Sequence, residues 1–427
     1  MSKRLRIAII GGGPAGCTLA RLLHLSSAPT SVTVFEREQH LHDRDQGGTL
    51  DLHDETGLAA LRSAGLADTP EFTAIARYDG DSMILCDKRM HRWIDLKSTK
   101  DGGWFAEGKP EVDRLALRKL LLDSLPEGTV VWSKAVAKVQ LSTDGTSAIV
   151  FTDGTKESGF DLVVGADGTR SVVRPLVTQA EPFYSGVGGW NMLCPNAAMT
   201  RPILTGLVRR GSLFAYSDGK SLMGQQLGSG DLYITMFSLK PEDWQRNSGY
   251  DVNNPKAVKS ALQEEFKHWA PELREIIASI DESKVWPRNL MTFPTGIRWD
   301  SKPGVTLMGD AAHVMCPFVG QGVNAAMADA LELSKAIEAT LDGQWSKESL
   351  YGHIQQYETT MWDRVYKAQK LTEDMIGLML LTPGAPANVI EKYVVRATTD
   401  NMNVILSSIW GIFIWLYYLF IKTLNRF

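Results

Sequence analysis

The amino-acid sequence predicts an α/β fold, in which a Rossmann-like nucleotide-binding domain carries an inserted β-sheet domain and is followed by C-terminal helices. Three observations predict this fold. An apolar strand at 6–10 leads into a glycine-rich turn and a helix, and a second strand follows at 31–36. Two later apolar strands, at 161–166 and 305–308, also end in glycine and aspartate, and short strand-like runs alternate with turns over about 180–290. Alternating strands and helices are typical of a parallel sheet, whereas a run of short strands indicates a separate sheet.

The length of 427 residues exceeds what one ordinary hydrophobic core supports, which indicates two domains or one large composite domain. Changes in pattern along the chain set the boundaries. The predicted segments are 1–180 (first part of the nucleotide-binding domain), 181–290 (substrate-binding β-sheet domain), 291–345 (second part of the nucleotide-binding domain), 346–400 (helical segment) and 404–421 (hydrophobic tail).

The composition excludes several classes of protein. The formal net charge is -4, and there is no run rich in lysine or arginine, so we expect no nucleic-acid partner. The four cysteines are scattered without a C-x-x-C pair, so neither a zinc site nor a disulfide framework is expected. A reducing, intracellular compartment is the simpler interpretation. The cysteines are Cys17, Cys86, Cys194 and Cys316.

The first glycine-rich turn has the spacing Gly11-x-Gly13-x-x-Gly16, directly after a strand and at the start of a helix. In this motif Gly11 allows the tight turn, Gly13 lets a pyrophosphate approach the backbone, and Gly16 lets helix and strand pack closely. The helix N-terminus offers free N–H groups to the phosphates. Glu36 follows twenty residues later, at the end of the second strand, where its carboxylate can accept from ribose hydroxyls. The motif therefore predicts dinucleotide binding; the alternative is a tight glycine turn without a ligand.

NAD and FAD both fit that motif, and two later segments favour FAD. One strand ends in Gly165-Ala-Asp167-Gly168, and another ends in Gly309-Asp310-Ala-Ala-His313. A carboxylate at a strand end can accept from a ribityl chain. The glycine-rich helix start at 320–324 can hold the pyrimidine end of an isoalloxazine ring, because a helix N-terminus stabilises the negative charge of reduced flavin.

The three fingerprints together resemble those of class A flavoprotein monooxygenases, similar to para-hydroxybenzoate hydroxylase. The resemblance runs from about residue 5 to about residue 375 and looks closest to the tetracycline-degrading branch. Supporting segments are Gly47-Gly48-Thr-Leu-Asp-Leu-His53, the Leu117-Arg118 helix and Pro317-Phe318-x-Gly320-Gln-Gly322-Val323-Asn324. The tail beyond about 385 departs from that branch.

The resemblance implies a non-covalent FAD site and assigns roles within it. Glu36 and the first glycines would hold the ADP half, Arg44 and Arg118 would contact FAD, and Asp310 would bind the ribityl region. For Arg114, a solvated helix face is the alternative. For His313, a structural role is favoured over hydrogen bonding to the flavin, and neither a catalytic residue nor a metal site is predicted. The predicted cofactor-binding residues are Gly11, Gly13, Ala15, Gly16, Glu36, Arg37, Arg44, Gly48, Arg114, Arg118, Asp167, Asp310, Gly320, Gly322, Val323 and Asn324.

The resemblance also implies the reaction. NAD(P)H reduces FAD, reduced flavin reacts with O₂, and a C4a-hydroperoxyflavin hydroxylates an aromatic, polyketide or terpenoid substrate, in secondary-metabolite biosynthesis or in drug modification. Only one complete Gly-x-Gly-x-x-Gly is present, which favours transient NAD(P)H binding on the flavin domain. Candidate substrate-binding residues are Gln225, Tyr233 and Phe318, with Met223 and Phe237 as further candidates; core packing is the alternative for each.

Three questions stay open at this stage. A reductase or dehydrogenase of the same fold would not insert oxygen, and a non-catalytic flavin-binding protein would not turn over NAD(P)H. The segment 404–421 has no charged residue, carries six aromatic side chains and is followed by Lys422 and Arg426. It is at the lower limit of the length that spans a bilayer, so membrane association competes with a hydrophobic helix that packs on the protein or on a second subunit.

Overall fold

The computed structural model describes two compact units. The described residues are 4–43, 47–80, 82–97, 109–142, 145–280, 285–342, 345–399 and 402–425. Unit 1 consists of 1–76, 112–183 and 291–369, and unit 2 consists of 77–111, 184–290 and 370–427.

The strands of the described chain are β1 Leu5–Ile10, β2 Thr30–Phe35, β3 Thr49–Asp51, β4 Met83–Cys86, β5 Arg92–Leu96, β6 Glu111–Asp113, β7 Val130–Val131, β8 Val136–Leu141, β9 Ser147–Phe151, β10 Lys156–Phe160, β11 Leu162–Gly165, β12 Phe183–Cys194, β13 Ser212–Ser217, β14 Lys220–Gln226, β15 Leu232–Leu239, β16 Val285–Thr292 and β17 Val305–Leu307.

The α-helices are α1 Pro14–Leu25, α2 Gly57–Ser63, α3 Pro70–Ile75, α4 Arg114–Asp123, α5 Ala197–Thr200, α6 Pro202–Val208, α7 Trp244–Asn247, α8 Pro255–Glu265, α9 Pro271–Ala278, α10 Asp310–His313, α11 Gly322–Leu341, α12 Lys347–Ile376, α13 Ile390–Thr398 and α14 Val404–Asn425.

Unit 1 is built on a five-stranded parallel sheet with the order β17-β11-β1-β2-β7. β11 is a continuous apolar run and β1 is apolar except for Arg6, as expected where both faces of a parallel sheet are covered. Ile10 pairs with Phe35 on one side and with Gly165 on the other, and Gly165 pairs with Leu307. The carboxyl ends of four strands therefore lie level with one another, and the loops that follow them leave from one edge of the sheet.

Helices α1 and α11 pack together in unit 1 beside this edge. Small side chains allow the close approach: a Cβ built on Gly309 would lie 3.2 Å from Ala326 and 3.5 Å from Ala15. Gly309 itself has a φ of +59°, a backbone conformation that glycine adopts without strain. The predicted α/β architecture is confirmed by this sheet and its helices.

Unit 2 is built on a seven-stranded mixed sheet with the order β16-β12-β15-β14-β13-β4-β5. Helices α8 and α9 provide buried side chains to the core on one face, where Leu222, Ile234 and Met192 point. Because strand residues alternate between faces, Met223, Thr235 and Asn191 belong to the opposite face.

Two segments pack in unit 2 although the sequence prediction placed them elsewhere. Residues 77–111, which were predicted to belong to the first nucleotide-binding segment, contribute β4 and β5 to the larger sheet. Residues 370–427 contribute α13 and α14. Within the helical segment predicted over 346–400, α12 ends at Ile376 and the chain continues as a π-helical turn, Gly377–Leu381. The substrate-binding role predicted for 181–290 stays a prediction.

Candidate cofactor site

The glycine-rich turn after β1 brings two segments of backbone into contact. Gly11 has a φ of +111°, and a Cβ on it would lie 2.3 Å from the carbonyl oxygen of Ala166. A Cβ on Gly16 would lie 2.1 Å from the carbonyl oxygen of Gly11. Any larger side chain would therefore push β1 away from the loop after β11 or from α1. Around Gly13, by contrast, a Cβ would meet no atom of the described chain within 4 Å.

The N-terminus of α1 begins beside that open space. Its N-cap is Gly13, no side chain caps it, and Pro14 occupies the first turn, where a missing N–H costs nothing. The first N–H groups of an uncapped helix carry partial positive charge and lack partners within the helix. This arrangement suits an anionic pyrophosphate.

Glu36 lies under the same turn and is almost fully buried. One of its carboxylate oxygens accepts from Gly12 N at 2.8 Å and the other accepts from Glu38 N at 3.0 Å. Arg118 donates to Glu36 at 3.2 Å, to Glu38 at 2.6 Å and, through Nε, to the carbonyl oxygen of Gly12 at 2.9 Å. A carboxylate can accept about four hydrogen bonds, and the three given above leave room for one more on Glu36. Ribose binding by Glu36 stays a prediction.

Arg118 has no exposed surface, and all three of its nitrogens have protein partners. The contact with FAD that was predicted for it stays a prediction. In the structure Arg118 acts as a brace, which means that its guanidinium connects α4 to the glycine-rich turn and neutralises two buried carboxylates.

Asp310 follows β17 and is exposed at the N-terminus of α10. Asp167 follows β11; its Oδ2 accepts from Val172 N at 2.8 Å, while its Oδ1 is buried without a hydrogen-bond partner in the described chain. Burial raises the pKa of Asp167 above its usual value, against the effect of its hydrogen bonds and of Arg174.

Arg174 joins the two later turns, and the sequence analysis missed it. Its buried guanidinium donates to carbonyl oxygens of both segments, from Nη1 to Thr169 at 2.9 Å and from Nη2 to Asp310 at 3.1 Å. Its Nε donates to the carbonyl oxygen of Ala311 at 2.7 Å. The signal in the sequence is weak: an arginine three residues after Ser171, whose hydroxyl accepts from the Arg174 backbone N–H.

A second buried network holds the turn after β17. Asp329, from α11, accepts from Gly309 N at 2.8 Å, from His313 Nε2 at 2.6 Å and from Arg364 Nη2 at 2.6 Å. Burial alone raises the pKa of Asp329, but His313, Arg364 and the Gly309 N–H together hold it below the usual value. The structural role expected for His313 agrees with this contact.

The N-terminus of α11 is a second open helix start. No side chain caps it, and a Cβ on Gly320 or Gly322 would meet no described atom within 4 Å. Asn324 is fully buried: its amide oxygen accepts from His53 N at 2.9 Å and its amide nitrogen donates to the Asp51 carbonyl oxygen at 2.7 Å. In these contacts Asn324 anchors the segment after β3, and its predicted place against the flavin ring stays a prediction.

The remaining predicted cofactor residues differ in how far they are exposed to solvent. Gly48 is buried, and its carbonyl oxygen accepts from the backbone N–H of Arg114 at 3.2 Å. Arg114 and Val323 are half-buried, and Arg37 is exposed. Arg44 lies outside the described residues.

The residues of unit 1 fit a flavin dinucleotide in three respects. Strand ends in direct register bring the three motifs to one edge, two uncapped helix N-termini open beside glycines, and Asp167 retains an unsatisfied buried oxygen. Each is a property that an extended, anionic ligand with hydroxyl groups would use.

The predicted substrate residues divide between the units. Gln225, Tyr233, Met223 and Phe237 share the face of the unit 2 sheet that is opposite to α8 and α9. Phe318 lies in unit 1, half-buried, on a 3₁₀ turn before α11.

Strand register places side chains of this face next to one another in rows across the sheet, and the sequence analysis did not predict these rows. Gln225 pairs with Tyr233, and Met223 pairs with Thr235. Thr235 in turn pairs with Asn191. Gln225, Thr235 and Asn191 are half-buried polar groups, whereas Tyr233 is buried.

Comparison with known proteins agrees with this geometry. A family model described as the FAD binding domain matches residues 4–368. Monooxygenase penA of Penicillium thymicola is 30% identical over 438 residues, which cover 91% of this chain and 99% of that protein.

Solved structures share the fold at lower identity. Klebsiella pneumoniae HpxO, in complex with FAD and uric acid, superimposes with a TM-score of 0.72 at 20% identity and covers 96% of this chain and 97% of that chain. Tetracycline destructase Tet(51) superimposes with a TM-score of 0.65 at 18% identity and covers 94% and 98%, respectively.

Proposed function

Because this chain belongs to the FAD-binding-domain family and is an FAD-dependent monooxygenase, we propose that it hydroxylates a small organic substrate with an aromatic ring, in secondary metabolism. The resemblance expected from the three fingerprints is confirmed at the level of the family, as is FAD as the cofactor. The reaction consumes the substrate, O₂, NAD(P)H and a proton, and it yields the hydroxylated product, water and NAD(P)⁺.

One observation carries the assignment of the cofactor residues. The strand ends at Ile10, Gly165 and Leu307 are in direct register, so the turns that contain Gly11, Asp167 and Asp310 leave one edge of a single sheet. Ligands of open α/β sheets bind at this carboxyl edge. We infer that the three turns contact one FAD molecule.

Three elements of unit 1 have separate tasks in this proposal. The N-terminus of α1 binds the pyrophosphate, and Asp310 accepts hydrogen bonds from the ribityl hydroxyls. The N-terminus of α11 stabilises negative charge on the reduced ring through its dipole, which contributes about 0.3–2 kcal/mol. Bound FAD supplies the redox chemistry, accepting a hydride from NAD(P)H and activating O₂.

The substrate proposal rests on the face of the unit 2 sheet that is opposite to α8 and α9. Half-buried Gln225, Thr235 and Asn191 offer hydrogen-bonding groups there in adjacent rows, beside the buried aromatic side chains of Tyr233 and Phe237. A mostly apolar surface with a few placed polar groups is typical of a site for a small molecule. The ligand of the HpxO complex, uric acid, is a flat fused-ring molecule with polar groups along its edge.

The test uses purified full-length protein. It should be yellow, and NADPH should bleach it and start O₂ uptake. The product of an accepted aromatic substrate should gain the mass of one oxygen atom. A reduced product without added oxygen would support the reductase alternative, and a yellow protein that never oxidises NADPH or NADH would support a non-catalytic flavoprotein. A colourless protein that does not take up FAD would contradict the whole proposal.

We also propose that the enzyme works inside the cell and attaches to a membrane through 404–421. Support comes from one helix of the described chain, Val404–Leu424, which is long and apolar enough to cross a bilayer by length and composition. Buried helices of soluble proteins meet the same criteria, but only 11% of the apolar window of this helix is buried.

A further inference from the structure

Helix α14 is attached to unit 2 along one stripe of its surface. Trp410 Nε1 donates to Thr398 Oγ1 at 2.8 Å. Two turns on, Tyr418 is 4% exposed and donates from its hydroxyl to the carbonyl oxygen of Trp93 at 2.9 Å. These contacts, with buried Ile414 between them, fix the helix to α13 and to β5.

The single charge on α14 belongs to the same stripe. Lys422 Nζ lies 2.5 Å from Oε1 of Glu391, and that carboxylate is buried. This ion pair would be lost if α14 left unit 2. The attachment therefore extends over the last four turns of the helix rather than over one end.

Among the described residues of α14, the rest of the exposed surface is apolar apart from Ser408 and Thr423. At 100° per residue the exposed large side chains cover more than half of the circumference. They include no charged residue. They are Val404, Ile405, Leu406, Ile409, Ile412, Phe413, Trp415, Leu416, Tyr417, Leu419, Phe420 and Leu424.

The width of this arc and its lack of charge identify what covers it. A helix that packs on a protein partner or on a second copy needs an apolar stripe of about 100°, and protein interfaces have a polar rim. Here the exposed arc is wider than that stripe and none of its described side chains is charged, so a protein partner would leave apolar surface in water. The acyl region of a lipid leaflet surrounds such an arc completely, and Trp and Tyr are typical of its boundary.

We propose that α14 lies in the plane of a membrane, embedded in one leaflet, while its Trp410–Lys422 stripe stays attached to unit 2. It does not cross the bilayer, because crossing would move Tyr418 and Lys422 away from Trp93 and Glu391. The enzyme is then a monotopic membrane protein, and a substrate dissolved in the membrane can reach it without passing through water. This inference does not depend on the flavin chemistry.

The first experiment measures flotation of the full-length protein with neutral phosphatidylcholine vesicles. The wild type should float. Ile409→Lys/Leu416→Lys, which puts two charges in the exposed arc, should reduce the bound fraction at least tenfold. Ser260→Lys/Gln263→Lys adds the same charge to the exposed face of α8 and should float like the wild type. Retained yellow colour verifies that each variant is folded.

Two results of this experiment overturn the proposal. One is a wild type that stays in the soluble fraction. The other is a wild type that forms a dimer without vesicles, which the arc variant dissociates and lipid does not compete with; a second copy would then cover the arc.

The second experiment separates an in-plane helix from a spanning one. A cysteine is appended after Phe427 and the protein is bound to preformed vesicles from outside; the four native cysteines are buried, and the protein without the added cysteine is the control. A membrane-impermeant maleimide should label the added cysteine without detergent. Labelling that requires detergent would show that the chain end has crossed the bilayer and would refute the in-plane arrangement.

Discussion

The two units build their candidate sites in different ways. In unit 1, backbone groups at strand ends form the site, and buried ion pairs hold them: Arg118 braces the first turn, and Asp329 braces the third. In unit 2, side chains on the face of a sheet form the site, and strand register sets which of them are neighbours. The comparison teaches that a site made of backbone groups depends on the buried side chains that hold the backbone in place. In a site made of side chains, by contrast, each residue can be substituted without moving the backbone.

The largest expected effect tests the bracing in unit 1. Arg118→Leu removes the donor to Gly12 and leaves Glu36 and Glu38 buried without their cation. Breaking such a buried pair costs about 3–5 kcal/mol of unfolding free energy. Urea unfolding of the FAD-free protein measures this loss, and FAD affinity should fall with it.

The control for Arg118 is its exposed neighbour. Lys119→Leu breaks only a surface pair with Asp123 and should change the unfolding free energy by no more than about 0.5 kcal/mol. Equal effects of the two substitutions would contradict the role of Arg118 as a brace.

The next prediction distinguishes a residue that binds FAD from one that stabilises the fold. Asp310→Ala removes an exposed carboxylate, so the fold should persist while FAD binds about ten- to a hundredfold more weakly, in line with a charged hydrogen bond of about 1.5–3 kcal/mol. Fluorescence titration with FAD measures this, with the exposed Asp300→Ala as the control. Unchanged affinity in Asp310→Ala would remove Asp310 from the site.

A smaller effect is expected in unit 2. Gln225→Leu and Asn191→Leu each remove one hydrogen-bonding group from the sheet face opposite to α8 and α9, so KM for the substrate should rise by up to about tenfold while FAD affinity is unchanged. Steady-state kinetics measure this change, and Ser229→Ala in an exposed turn is the control. If both leucine variants keep the wild-type KM, the substrate does not bind to this face.

The smallest effect concerns pH and Asp167. Because burial raises its pKa in the folded state, the native protein gains stability as pH falls through that pKa and loses it above. Asp167→Asn should therefore be slightly more stable than the wild type at pH 7, by less than about 1 kcal/mol. The difference should vanish at acidic pH, as thermal unfolding across pH would show.

Asp153 provides the control of opposite sign. Hydrogen bonds from Lys134 and Thr155 lower the pKa of Asp153, so this carboxylate stabilises the fold above its usual pKa, and the contribution is lost as pH falls through the lowered value. Asp153→Asn should be less stable than the wild type at neutral pH and converge with it in acid. The same sign for both variants would contradict the assignment for Asp167.

The sequence alone determined the fold class and the cofactor, and it predicted the three turns that we propose form the cofactor site. These are local properties: a glycine where φ is positive, such as Gly11, or an aspartate directly after an apolar strand, such as Asp310, is visible within ten residues of chain. Short motifs of this kind can be recognised from the sequence, whereas the distant residues that hold them in place cannot.

The tertiary structure alone decided which residues support those turns and which share a face. Arg174 and Asp329 act on segments that are 136 and 20 residues away along the chain, so no local pattern shows their contacts. Gln225 and Tyr233 are neighbours because the register of β14 and β15 pairs them. The apolar tail could be recognised from its composition, but which side of α14 is attached to unit 2 depends on Trp93 and Glu391, because packing partners are chosen by three-dimensional contact and not by sequence neighbourhood.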